Sequence, residues 1–185
     1  MKTRALLAIL LCLALAPFAL AREIGGVKLA DTVSVDGKPL KLNGGGIRTK
    51  AIFKVYVAGL YLETPSKDAS AVVSSDQIKR VQLSLLRDLG KSKITEAISE
   101  GFEKNSKAQM GTLKARLDRF NAMIPDLEKG DQIVLTYVPG KGTAVSAKGA
   151  EKGMIEGKDF ADALFSVWLG AEPVQEDLKK AMLGG

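Results

Sequence analysis

The chain has 185 residues, with 27 basic against 21 acidic side chains, a formal charge of +6, one cysteine and no histidine. The missing histidine excludes a Ser-His-Asp relay, and Cys12 alone supplies neither an intrachain disulfide nor the usual zinc ligands. The basic residues are scattered among acids and form no stripe, which argues against nucleic acid; the mild excess favours an anionic small molecule.

Lys2 and Arg4 precede an apolar run from Ala5 to Leu20, and Ala19-Leu20-Ala21 has the small-x-small spacing of a signal-peptidase site. The run is short for a membrane span, and no second run of that length follows. Residues 1–21 are therefore expected to be a signal peptide cleaved near Ala21, which sends a chain starting at Arg22 to the periplasm or the exterior. Cys12 would be lost with the leader; the bulky Leu11 before it argues against a lipid anchor. The remainder, residues 22–185, is about the right length for one domain with a sizeable core. With Lys2 and Arg4 gone, 25 basic residues face 21 acidic ones, a charge of +4.

Val27–Leu29 and Thr32–Val35 read as short strands, with Asp36-Gly37-Lys38 as a hairpin turn and Lys38–Leu42 as the return strand. Ala51–Leu62 is the most strand-like stretch. It is apolar on both parities, so a central strand covered on both faces is predicted. Gln77–Leu86 alternates, with Val81, Leu83 and Leu85 on one face. Ser92 reads as the cap of a helix carrying Ile94, Ala97, Ile98, Gly101 and Phe102 at helical spacing. A second helix over Ser106–Met123 would bury Leu113, Leu117 and Phe120.

Strands return at Gln132–Val138, Thr143–Ala147 and Lys152–Ile155, the first two joined by the turn Pro139–Gly142. A helix over Lys158–Leu169 follows, ended by Gly170, and Pro173 opens a last helix reaching Met182. The order of strands and helices predicts an α+β domain, an antiparallel sheet with helices on one face.

Three segments carry a resemblance. These are "GGGIR" (Gly44–Arg48) leading into a strand that ends "GLYLE" (Gly59–Glu63), "RDLGKSKITEAISEGFEKN" (Arg87–Asn105) and "LFSVWLGAEPVQEDLKKAMLG" (Leu164–Gly184). Together, and in this order, they resemble the chalcone isomerase-like family. That resemblance implies an open-faced β-sandwich: a large antiparallel sheet wrapped by a helical layer, with a ligand cleft between them. Family members include plant enzymes that close a chalcone into a flavanone, non-catalytic relatives that bind fatty acids, and bacterial members of the same fold without an assigned function.

Arg48 stands at the place of the family's key arginine. A guanidinium there can hold a phenolate or carboxylate through paired hydrogen bonds and stays charged when buried, while the glycines before it would let the backbone turn tightly near a ligand. The alternative is an exposed arginine in a turn. Lys54 and Tyr56 share a strand parity and could complete an anion site with Arg48. The alternatives are a lysine snorkelling to solvent and a tyrosine packed in the core.

Tyr56 stands where catalytic members carry a threonine, and Asn121 matches an active-site asparagine. Lys114 stands seven positions before it, where the plant enzymes have a tyrosine, and Val167, beside Ser166, replaces a polar cleft residue. Arg87-Asp88 reads as an ion pair or a helix-start element. "GGGIRTK" lacks the lysine and hydroxyl spacing of a phosphate loop, and nothing singles out a carboxylate pair for glycoside chemistry.

The expected function is non-catalytic binding of a fatty acid or other amphipathic or aromatic carboxylate in a cleft headed by Arg48, with Tyr56, Lys54 and Asn121 as further ligand contacts, no cofactor and no metal. The alternative is an isomerase of the chalcone-flavanone type in which Arg48 stabilises an enolate or phenolate.

Overall fold

The computed structural model describes residues 21–185. The expected signal peptide lies outside them, apart from Ala21. Two hairpin strands, β1 (Ala21–Ile24) and β2 (Val27–Ala30), stand apart from the main sheet. That sheet is a seven-stranded antiparallel meander in sequence order: β3 (Thr32–Val35), β4 (Lys38–Lys50), β5 (Phe53–Leu62), β6 (Lys79–Leu85), β7 (Gln132–Val138), β8 (Gly142–Ala147) and β9 (Ala150–Ile155). Helix α1 (Ala69–Ser74) is inserted between β5 and β6, and α2 (Lys91–Ser106) and α3 (Met110–Met123) between β6 and β7. Helices α4 (Lys158–Leu169) and α5 (Glu176–Met182) close the chain. The sheet is curled with its helices on one side, as the α+β reading expected, and the main core lies between the two layers.

Alternation builds that core. Val81, Leu83 and Leu85 of β6 belong to one apolar cluster with Ile94, Ile98 and Phe102 of α2 and the apolar face of α4, from Phe160 through Trp168. Val57–Leu62 of β5 is buried throughout, because helices cover one face while β1–β2 and a smaller cluster around Leu40, Tyr61 and Ile78 cover the other. The expectation of a central, two-sided strand holds for this segment.

Three local expectations need correction. Gly44–Gly46 do not turn; they lie inside β4, which runs on to Lys50, and the turn comes at Ala51-Ile52, where Ala51 has φ 53°. The glycines instead serve close packing on both faces. A Cβ on Gly44 would meet the Ala181 carbonyl at 2.2 Å, and one on Gly46 would meet the Ala181 methyl at 2.8 Å, so α5 can lie directly on the strand. One on Gly45 would meet Leu29 at 3.0 Å from the opposite side, and Gly59, its partner across the β4–β5 pair, leaves the same room. Ser92 lies inside the first turn of α2 and does not cap it: the carboxylate of Asp126 accepts from the Lys91 N–H (2.7 Å). Pro173 lies in the loop before α5, which starts three residues later at Glu176.

Candidate functional site

A cavity of about 770 Å³ opens between the sheet and α2. Leu83, Leu85 and Ile133 line it from the sheet, Ile94, Ile98 and Gly101 from α2, and Val167, Trp168 and Val174 from α4 and the loop after it. All but Gly101 are apolar side chains, and that glycine is what lets α2 approach α4: a Cβ there would lie 2.8 Å from a methyl of Val167. The loop after α4 completes the wall. Asn105 of α2 pins it by donating to the Glu172 carbonyl (2.9 Å) and accepting from the Glu172 N–H (2.9 Å).

Charged side chains line the cavity from α2 and its flanks (Arg87, Asp88, Lys93, Glu100, Lys104) and from the loop after α4 (Glu172), and further polar groups enter it from the β4–β5 hairpin. Arg48 and Tyr56 are directly opposed in the ladder, and both line the cavity. Arg48 is half-buried. One nitrogen, Nη1, donates to its neighbour's carbonyl on Thr49 (2.5 Å) and to Gln175 Oε1 (3.2 Å). Gln175 also accepts from the Thr49 N–H (2.9 Å), so the residue that caps α5 fixes both the end of β4 and the guanidinium. No carboxylate among the described residues lies within ion-pair distance of Arg48, and its Nε and Nη2 donate to no described residue.

Tyr56 accepts a hydrogen bond from Trp168 Nε1 (3.0 Å). Because an indole N–H can only donate, this bond uses a lone pair of the hydroxyl and leaves its proton available. Burial pushes the Tyr56 pKa above its ordinary 10.0, outweighing the Trp168 hydrogen bond and the Arg48 charge, which pull it down. At neutral pH the group is therefore an O–H donor with no acceptor among the described residues. One end of an apolar cavity thus presents a fixed cation and a free hydroxyl side by side.

The other proposed contacts stand elsewhere. Arg48 pairs with Tyr56 but Thr49 pairs with Lys54, so Val55 is an extra residue, a β-bulge. The bulge breaks the parity that seemed to put Lys54 beside Tyr56. Val55 and Tyr56 both line the cavity, while Lys54 is exposed and outside it. Asn121 donates to Ser99 Oγ (3.1 Å), tying α3 to α2, and is not a lining residue. Lys114 pairs with Asp118 (2.9 Å) on the exposed side of α3. Arg87 and Asp88 do not pair with each other: the guanidinium stacks on Phe53, 4.7 Å from the ring centre, and the carboxylate accepts from the Lys129 N–H (2.8 Å). Sequence reasoning missed Trp168 and Gln175 as partners of the polar pair. Both sit in the recognised "LFSVWLGAEPVQ" segment, but only the fold carries them, more than 100 positions along the chain, to β4 and β5.

Residues 21–184 match the family described as chalcone isomerase-like. The chain belongs to that family. Among solved structures this chalcone isomerase-like protein is similar to the fatty-acid binding protein of Arabidopsis thaliana, with a TM-score of 0.69 at 16% identity, over 85% of this chain and 92% of that one. No curated protein sequence matches it significantly. The match covers all the elements that build the cavity, from the β4–β5 hairpin to α5.

Proposed function

We propose that this protein binds an amphipathic carboxylate, a fatty acid or aromatic acid, with its tail in the apolar cavity and its head between Arg48 and Tyr56. The observation that carries this reading is the opposed Arg48–Tyr56 pair, whose free donors line the same cavity as the apolar side chains of Leu83, Leu85, Ile94, Ile98 and Ile133. A carboxylate accepts two or more such bonds, and charge-assisted ones are the strongest available to it. The volume falls within the range of about 300–1,000 Å³ usual for small-ligand sites. The fold of a fatty-acid binding protein supports the same direction.

An isomerase would place further polar groups on the substrate ketone. The residues at the matching positions, Lys114 and Asn121, are engaged with Asp118 and Ser99 away from the cavity, which favours binding over turnover. The apolar leader further suggests that binding takes place in the periplasm or outside the cell, and N-terminal sequencing of exported protein should read from Arg22.

The test is organic extraction of purified protein with mass spectrometry, followed by calorimetric titration with dodecanoate. Co-purifying acyl or aromatic acid is expected, and Arg48→Ala should weaken dodecanoate binding at least about tenfold. Native protein that carries no acid and binds none refutes the reading.

A further inference from the structure

We propose that the tip of the β4–β5 hairpin docks this protein on an anionic lipid bilayer, with the mouth of the cavity turned toward the membrane. Ile52 and Phe53 are 85% and 53% exposed, the two most exposed large apolar side chains among the described residues. They sit together at a turn, where two side chains can enter a bilayer interface without moving the sheet behind them. The hairpin that carries them is charged with one sign only. From Arg48 to Lys54 the hairpin carries Arg48, Lys50 and Lys54 and no acid, and the Arg87 guanidinium stands over the Phe53 ring, 4.7 Å from its centre.

Apolar tips inside a cationic collar match an interface in which acyl chains lie just beneath anionic headgroups, where burial and attraction act together. The acids of the cavity lining come from other elements and each has a partner or a basic neighbour: Glu100 on α2 is paired with Lys104 (2.8 Å) and lies within the field of Lys50 and Arg48, Asp88 follows Arg87 and is held by the Lys129 N–H, and Glu172 sits in the loop after α4. The tip is continuous with the cavity, since Lys50, Phe53 and Arg48 belong to both. Docking would let an amphipathic ligand pass between membrane and cavity without crossing open water. That purpose rests on the proposed function; the docking itself does not.

The experiment is co-flotation of the protein, carrying its native N-terminus, with vesicles of phosphatidylglycerol and phosphatidylcholine or of phosphatidylcholine alone. Binding is expected to the anionic vesicles only, and to fall several-fold as salt is raised through the range where the Debye length shrinks from about 10 Å to about 3 Å. Ile52→Ser should weaken it about tenfold. Ile52→Trp should strengthen it and shift emission to the blue on vesicle addition, a signal the buried Trp168 does not produce.

Dodecanoate affinity without vesicles should be unchanged in both variants, because Ile52 is not a lining residue. No vesicle binding with dodecanoate binding intact overturns the docking and leaves the cavity reading standing. Equal binding to both vesicle types, an Ile52→Ser variant that binds as the parent does, or a concentration-dependent dimer abolished by Ile52→Ser without vesicle binding each overturns it as well, the last by assigning the tip to a second copy.

Discussion

The Trp168 indole donates to the Tyr56 hydroxyl at 3.0 Å, and this one bond decides what the tyrosine can offer a ligand. With a lone pair occupied by a group that can only donate, the O–H must find its acceptor elsewhere, and the cavity is the open side. A hydrogen bond to a charged acceptor contributes about 1.5–3 kcal/mol, so Tyr56→Phe should raise the Kd for dodecanoate by at least about tenfold. Trp168→Phe keeps most of the packing but frees the hydroxyl to rotate, and a smaller, several-fold loss is expected. Calorimetry of both variants checks the ranking; Tyr56→Phe binding as tightly as the parent contradicts it.

Gln175 sits at no position that sequence reasoning marks as a ligand contact, yet it holds both Arg48 Nη1 and the Thr49 N–H. Its role is to aim the guanidinium. Gln175→Ala should weaken dodecanoate binding by about three- to tenfold, less than Arg48→Ala, because the guanidinium loses the acceptor that orients it and regains its freedom while its charge remains. Binding unaffected by Gln175→Ala would show that the guanidinium is oriented without it.

The elements were legible where side-chain period and burial agree. The alternation of β6, the helical spacing of Ile94, Ile98 and Phe102, and the doubly apolar β5 report their own environments, and the structure places them accordingly. Arg48 and Tyr56 were also within reach, Tyr56 on the recognised strand and Arg48 through the "GGGIR" motif, although that motif lies inside β4 and not in a turn before β5. The bulge at Val55 was not. One inserted residue inverts the parity of everything before it, and nothing in "FKVYV" signals where the ladder slips. The three glycines misled for a related reason: a tight turn and a close approach both ask for a missing Cβ, and only the positions of α5 and Leu29 distinguish them.

Gly101 gives a direct test of the close α2–α4 contact that ends the cavity. Gly101→Ala would put a methyl 2.8 Å from Val167, a crowding that typically costs about 1–3 kcal/mol. For a chain of this size that is a fall in Tm of roughly 2–4 °C per kcal/mol, measurable by calorimetry. Adding Val167→Ala should recover part of the loss, because it removes the atoms the new methyl meets. A double variant less stable than the sum of the singles would refute the contact as the cause.

Lys79 supplies a pH test of the core beside the cavity. Its side chain is fully buried, and Nζ donates to the carbonyls of Val72, Val73 and Ser75 at 3.1, 2.5 and 3.1 Å, closing the C-terminal end of α1. Asp162 lies 3.5 Å away, and the Tyr137 and Phe165 rings flank the ammonium. Burial pushes its pKa down to about 8, against the pull of Asp162 and with help from the repulsion of Lys158. From about 8 up to the ordinary 10.5, the unfolded chain holds a proton that the native state has released, so stability rises with pH across that window. Tyr137 acts in the opposite sense but later: burial and its hydrogen bond to Asp76 keep it protonated past its ordinary 10.0, so its contribution is lost only as pH climbs beyond that value. Urea midpoints should therefore climb between about pH 8 and pH 9.5 in the parent, and Lys79→Met should flatten the climb. A climb of the same size in Lys79→Met assigns it to other groups and removes Lys79 as its source.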